Sequence, residues 1–375
     1  MSSPIIYLGL DVHKDSITIA VLPEGAPAPS RVERLPNDLA KLRRFCERLA
    51  AEGELRACYE ASGAGYVLHR ALRAWGYPCD VIAPSLIPTK PGQQRKHDTY
   101  DAAQLARLYR AGELTCIRIP SEAEERVRDL VRCRETLQRE VLKSRHYLLK
   151  FLARRGYVYR EGTPWRTAHY RWLRHLAAAG SQLAVEDQIV YGEYLGLLEY
   201  KLSRREELDR RIGEVALTPA VAPAVNRLQC FRGVQQHGAM VLTTEIADWR
   251  RFASPRPLMA YLGLVPREHS SGDRERRGSL TKAGNSHCRH VLVQAAWAYR
   301  YPPKVGSALQ TRQRGQSPVV IAHAWKAQHR LHTLYRRLAF RTTPQIAVVA
   351  VARELVGFLW AVMQDQQDVT NSVAA

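Results

Sequence analysis

Short apolar runs alternate with helical stretches between residues 5 and 110, and this alternation restricts the first third of the chain to a mixed α/β architecture. "IIYLGL" (5–10) and "SITIAVL" (16–22) flank a short polar turn and read as a β-hairpin with Asp11 at the end of its first strand. Turn signals follow in "PEGAPAPS". The helix "NDLAKLRRFCERLAAEG" comes next, with Asn37 or Asp38 as its cap and Gly53 near its stop. "LRACYEA" is a strand ending at Glu60, "GYVLHRALRAWG" a helix, and "YPCDVIAP" another strand. The stretch "RKHDTYDAAQLARLY" (95–109) opens the next helix, with Asp98 as its N-cap. These elements predict a mixed sheet covered by helices.

From about 122 to 156 the pattern changes to a long charged amphipathic helix, and a second spans roughly 186–215. A Tyr/Trp-rich segment separates them, as in an antiparallel helical hairpin or coiled coil acting as a spacer or oligomerisation arm; an ordinary packed helix pair fits equally well. "TPAVAP" (218–223) punctuates the chain before several short helices around a polar, basic loop. A helical part at about 318–363 closes the fold, and the last residues read as a frayed tail. The expected organisation is an α/β domain over 1–120, a helical linker over 121–217, a mainly α domain over 218–365 and a tail over 366–375.

The 375 residues carry a formal net charge of +20 alongside 46% hydrophobic residues. The apolar content excludes a disordered basic tail, so the charge decorates folded surfaces and points to a polyanionic partner, nucleic acid first. Seven cysteines stand singly with no Cys-x-x-Cys, which suits a reducing cytoplasm and makes neither a zinc site nor a disulfide framework. The N-terminus lacks a basic leader with a long apolar run. The apolar stretch "PQIAVVAVARELVGFLWAVM" holds Arg353 and Glu354 in its middle, so a core helix is expected there and no membrane span.

Asp98 and Asp101 stand three apart on one helix face, where two carboxylates repel unless a cation lies between them. An acidic first turn favoured by the helix dipole is the other explanation. Asp11 and Glu60 end strands, and ligands gather at the carboxyl ends of strands in such sheets. Four carboxylates converging there would suit one or two Mg²⁺ ions, and paired ions can activate a nucleophile and stabilise the leaving oxygen of a phosphodiester.

"YLGLDVHKDSITIAVL", "CYEASGAGYVLHRALRAWGYPCDVIAPS" and "KHDTYDAAQLARL" closely resemble the RuvC-like domain of the DEDD transposases of bacterial insertion sequences. "RRFASPRPLMAYLGLVPREHSSGDRERRGSLTKAGNSHCRHVLVQAAW" resembles that family's second, smaller transposase domain. The resemblance implies an RNase H-like (RuvC-like) first domain, a coiled-coil linker and a mainly α transposase domain. It implies that Asp11, Glu60, Asp98 and Asp101 bind Mg²⁺. It also implies that Ser271, before Gly272 in "GLVPREHSSG", attacks a DNA phosphate and becomes covalently linked to the cleaved strand, with Ser270 as the neighbouring competitor.

Arg267, Arg274, Arg276, Arg277, Lys282 and Arg289 surround that serine with groups that match phosphate oxygens, and "TKAGN" turns into a helix beginning near Ser286. The family commonly carries a Gly-x-Gly hairpin before the serine; here "FRGVQQHGA" (231–239) keeps only Gly233 and Gly238, which puts that backbone contact in doubt. The family further implies donor and target DNA as partners, a structured guide RNA that supplies sequence by base pairing, and a homodimer assembling to a tetramer, working at the bacterial nucleoid.

Three other readings stand beside this one. A RuvC-like Holliday-junction endonuclease would cut with metal-activated water and leave Ser271 idle. An actin-like or sugar-kinase-fold ATPase also begins with an Asp-ended strand in a hairpin, but Val12-His13-Lys14 follows Asp11 here instead of the phosphate-holding Gly and Thr or Ser. A nucleic-acid-binding protein that kept the fold without its chemistry is the third.

Overall fold

The computed structural model describes residues 3–88, 98–177, 183–268 and 277–364. Contacts divide the chain into two compact units, Met1–Pro120 and Ser121–Ala375.

The first unit is built on a five-stranded sheet. Its elements in chain order are β1 (Ile5–Val12), β2 (Ser16–Pro23), β3 (Arg31–Pro36), α1 (Leu39–Ala50), β4 (Glu54–Glu60), α2 (Val67–Ala74), β5 (Cys79–Ile82) and α3 (Asp98–Arg110). The strand order is β3-β2-β1-β4-β5, antiparallel from β3 to β1 and parallel from β1 through β4 to β5. The edge strand β3 is an addition to the expected hairpin. "RVERLP" is mostly exposed and follows a proline-rich turn, so little apolar patterning marks it as a strand.

Side-chain alternation sorts the sheet into two faces. Ile6, Leu8 and Leu10 of β1 share a core with Ile17, Ile19 and Val21 of β2, Leu55, Ala57 and Tyr59 of β4, and the buried stripe Leu42, Phe45, Cys46 and Leu49 of α1. Each such aliphatic or aromatic side chain contributes about 1.5–3 kcal/mol on burial. Asp38 starts α1 by accepting from the amides of Ala40 (2.8 Å) and Lys41 (3.0 Å).

The opposite face carries α3. Ala102, Ala103 and Ala106 pack on Ala20 and Leu22 of β2, while Leu105 packs on Cys58 and Ile82. Small residues are needed here because α3 lies against the β1 backbone: a Cβ on Gly9 would stand 2.1 Å from the Ala102 carbonyl oxygen. Tyr109 donates to Asp80 Oδ2 of β5 (2.6 Å), and Arg110 donates to the carbonyls of Pro23, Glu24 and Ala26 after β2. Contacts along its length and at its C-terminal end thus set where the first turn of α3 stands.

The second unit begins with α4 (Glu122–Arg154), opened by a capping box between Ser121 and Glu124. α5 (Thr167–Ala177) and α6 (Val185–Ala216) follow. α4 and α6 run antiparallel: Arg155 pairs with Asp187 at one end and Arg134 with Asp209 at the other. Near the α4–α6 connection, Leu148, Phe151, Leu152, Leu173, Tyr191 and Leu195 form an apolar cluster, flanked by a ring stack of His169 on Trp172. The middle combines buried Val141 and Leu198 with polar contacts, Arg205 donating to Gln138 and Lys201 to Ser144.

At the other end Val131 of α4 and Ile212 and Ala216 of α6 enter the main core of the unit, formed by most of the remaining helices. These are α7 (Ala222–Gln229), α8 (Gln236–Ile246), α9 (Pro255–Tyr261), α10 (Ser286–Ala296), α12 (Pro318–Ala339) and α13 (Pro344–Val362), while α11 (Ser307–Gln313) packs on α7. The helix pair and the C-terminal helices therefore share one core across the boundary expected near 217.

A two-stranded antiparallel sheet pairs β6 (Pro266–Glu268) with β7 (Arg277–Leu280), on either side of Ser270 and Ser271 in the sequence. α13 is long and apolar enough to cross a membrane by length and composition alone. Eight of its residues, from Ala347 to Val362, are buried, and it packs on α10 and α12.

Candidate active site

The parity of β1 decides what reaches α3. Tyr7, Gly9 and Asp11 point to the α3 face, opposite Ile6, Leu8 and Leu10. In β4 the pairing of Gly9 with Cys58 and of Leu10 with Tyr59 puts Glu60 one step beyond, beside Asp11 and on the same face. The first turn of α3 supplies Asp98 and Asp101. Asp98 is the first described residue of α3, and the residue before it, where a cap would be judged, lies outside the described residues.

Asp11 Oδ2, Asp98 Oδ1 and His13 Nε2 gather so that all donor atoms lie within 4.8 Å of one another. His13 Nε2 is 3.1 Å from Asp11 Oδ2 and 3.5 Å from Asp98 Oδ1. Burial raises the Asp11 carboxyl above its ordinary value; His13 opposes the rise, and the charges of Asp98 and Asp101 add to it. Both α3 carboxylates therefore act on Asp11. Glu60, exposed at the end of β4, and half-buried Asp101 are not part of the tight group. The donor set fits a divalent cation: acidic oxygens meet at one point, and the half-buried carboxylate among them has no lysine or arginine within ion-pairing distance among the described residues. His13 went unmarked in the sequence, although a histidine two positions after a strand aspartate shares its face.

The comparisons with known proteins bear on both units. A DEDD transposase model matches residues 8–155, and the model of the IS116/IS110/IS902 transposase family matches 225–307. A putative transposase, y4qE, of Sinorhizobium fredii is 38% identical over 371 residues, covering 97% of this chain and 90% of the relative. The transposase for insertion sequence element IS1533 of Leptospira borgpetersenii is 30% identical over 89% of this chain and 96% of its own length. The transposase for IS1111A of Coxiella burnetii is 27% identical over 78% of each. The chain belongs to the IS116/IS110/IS902 transposase family. It is an enzyme that cleaves and rejoins DNA, and divalent-metal use accompanies the DEDD family. Membership favours neither the junction nuclease nor the ATPase.

In the second unit of this transposase, Ser270, Ser271, Arg274 and Arg276 lie outside the described residues, as does the side chain of Arg277 at the start of β7. Arg267 is exposed on β6, and Lys282 is exposed with a left-handed backbone, φ 52°. Arg289 is half-buried and donates to the Leu262 carbonyl (2.9 Å), so part of its hydrogen-bonding capacity holds the loop after α9.

That loop is anchored by Glu245 of α8. Its carboxylate receives a two-pronged bond from Arg132 of α4 (2.6 and 2.8 Å) and a third from Asn285 (2.7 Å), the residue that caps α10. Tyr261 donates to the Glu245 carbonyl (3.2 Å). Burial alone would raise the Glu245 carboxyl; Arg132 and Asn285 outweigh it and hold the group below its ordinary value.

The stretch 231–239 forms the turn from α7 into α8. Gly233 has φ 86°, and a Cβ there would stand 2.2 Å from the Ala295 carbonyl oxygen, so the turn rests directly on α10. Gly233 and Gly238 line a cleft of about 730 Å³ that also receives the contacting pair Glu135 and His287. His237, in the same cleft, is pushed down to about 4 chiefly by burial, with the Arg134 charge adding to it, so it is neutral at pH 7.

Proposed function

We propose that this transposase moves its own insertion element by exchanging DNA strands, using Asp11, Glu60, Asp98 and Asp101 as a Mg²⁺ site and Ser271 as nucleophile. The observation that carries the metal half is the convergence of Asp11 and Asp98 oxygens at the carboxyl end of β1. The sheet order β3-β2-β1-β4-β5, with the acids where β1 and β4 end, supports an RNase H-like reading of the first unit. A bound divalent ion supplies Lewis-acid polarisation of phosphate oxygens and neutralises charge developing on them.

The Ser271 oxygen forms a bond to phosphorus while the bond from phosphorus to the leaving strand's oxygen breaks. The serine proton ends on that leaving oxygen. The resulting phosphoserine ester conserves the energy of the broken backbone for rejoining. Arg267, Arg274, Arg276, Arg277, Lys282 and Arg289 are assigned to the nucleic-acid backbone; exposure of Arg267 and Lys282 supports this for those two, while Arg289 divides its donors between protein and phosphate.

The net charge of +20 supports a second polyanion beside DNA, a structured guide RNA carrying the sequence information, and the long α4–α6 pair supports assembly of dimers into a tetramer. The protein acts in the bacterial cytoplasm, at the nucleoid.

The experiment is a denaturing gel of the full chain with labelled donor DNA, the RNA that copurifies with it, and Mg²⁺. Ser271→Ala gives no covalent band and no recombination, whereas Ser270→Ala retains the band. A covalent band from Ser271→Ala would instead move the reading to a nuclease that activates water.

A further inference from the structure

The donor group at the end of β1 contains a nitrogen. A site for Mg²⁺ alone is expected to offer oxygen, because that hard ion keeps oxygen ligands and several waters. Imidazole suits the first-row transition ions better.

His13 is held where it stands by the hairpin. Its position two residues after Asp11 gives it the face of β1 that looks at α3. Its amide donates to the Ser16 carbonyl (2.8 Å). The Asn37 side chain donates to the carbonyls of His13 (2.8 Å) and Lys14 (3.3 Å), and the Asn37 amide donates to Asp15 (3.1 Å). A turn tied at four points presents the ring to two carboxylates from different elements, Asp11 on β1 and Asp98 on α3.

The spacing suits ligation. Two ligands at about 2.1 Å from one ion and at right angles stand about 3.0 Å apart. Nε2 lies 3.1 Å and 3.5 Å from the two carboxylate oxygens. Nε2 faces the Asp11 oxygen at 3.1 Å, and either ring nitrogen of a neutral imidazole can carry the proton. Ligation by Nε2 needs that proton on Nδ1, which a half-exposed ring can hand to solvent.

We propose that His13 is a ligand of the divalent ion held by Asp11 and Asp98, and that its imidazole biases the site toward Mn²⁺ and similar transition ions relative to an all-oxygen site. This rests on the metal reading above. It makes His13 a metal ligand beyond the four acids.

The test uses Mn²⁺ as probe on the full chain, read by pulsed electron paramagnetic resonance and by titration calorimetry. Wild-type protein shows ¹⁴N modulation from a directly bound imidazole, and His13→Ala loses it. Mn²⁺ affinity falls about tenfold in His13→Ala while Mg²⁺ affinity changes by less than about threefold. Bound Mn²⁺ without nitrogen modulation in wild type, or modulation that survives in His13→Ala, overturns the ligand assignment and leaves the acidic site standing. No Mn²⁺ bound to wild type overturns the acidic site and His13 together. An unchanged unfolding midpoint in His13→Ala shows that the loss is one of ligation, since the ring is exposed on a turn that backbone and Asn37 contacts hold.

Discussion

Each unit gathers carboxylate charge at a focal point, and the two do so in opposite ways. Glu245 is almost wholly buried, and its partners come from its own unit: the Arg132 guanidinium and the Asn285 amide. Its carboxyl consequently lies below the ordinary value. Asp11 is less buried, yet its nearest charged neighbours are a histidine and two further aspartates, and its carboxyl lies above the ordinary value. A carboxylate that is buried and satisfied serves the architecture. One that burial raises, with neighbouring like charges adding to the rise, stores a demand for a cation. The sign of the shift separates these roles better than the degree of burial does.

The sharpest way to break this contrast is to remove the charge from each focus. Asp11→Asn reduces strand cleavage by at least about 10²–10³-fold, the scale of losing a group that stabilises transition-state charge. Nucleic-acid binding is retained or tightens, because a negative charge near phosphates has gone. A gel assay of cleavage beside a filter-binding assay reads both, and cleavage at the wild-type rate removes Asp11 from the site.

Glu245→Ala acts on stability. It leaves Arg132 without its carboxylate and Asn285 without an acceptor, and it costs the fold about 3 kcal/mol. Urea unfolding measures this, and a loss below about 1 kcal/mol would mean that water replaces the carboxylate without penalty.

The smallest effect is in pH dependence, where the two foci have opposite signs. Glu245 has a lowered carboxyl, so its contribution is fully present above 4.5 and is lost as pH falls through the folded value. Asp11 has a raised carboxyl, so the folded state binds its proton more tightly than the unfolded chain does. Stability from this group is greatest below 3.8 and declines as pH rises through the folded value. Hydrogen exchange of the α8 and β1 amides, corrected for intrinsic rates, follows the two windows. Glu245→Gln flattens the first and Asp11→Asn the second, and a divalent cation above the second window restores what ionisation of Asp11 removes.

Much of the first unit was legible in the sequence because its signals are local. Apolar runs, Asp38 before a helical pattern and acids at element ends each need only a few neighbouring residues to be recognised. β3 escaped because an exposed edge strand carries little hydrophobic patterning. His13 was readable in principle from its spacing to Asp11. Glu245 and Arg132 were not, since 113 residues separate them and only the packing of α4 on α8 brings them together. The transposase block was recognised as a motif, but the fork that anchors its loop belongs to tertiary structure.

The α4–α6 pair has a mechanical consequence. At 1.5 Å per residue the 33 residues of α4 make a rod of about 50 Å. Its root is set in the main core of the second unit by Val131, and its tip carries a separate apolar cluster around Phe151. The shaft between them combines buried Val141 and Leu198 with polar contacts such as Arg134 to Asp209. Such a rod acts as a lever: from Val131 to Phe151 it spans about 30 Å, so a tilt of about ten degrees at the root swings the tip by about 5 Å, roughly one and a half base-pair steps of about 3.4 Å. Small repacking around Val131 would thus be magnified into displacement on the scale of the nucleic acid itself.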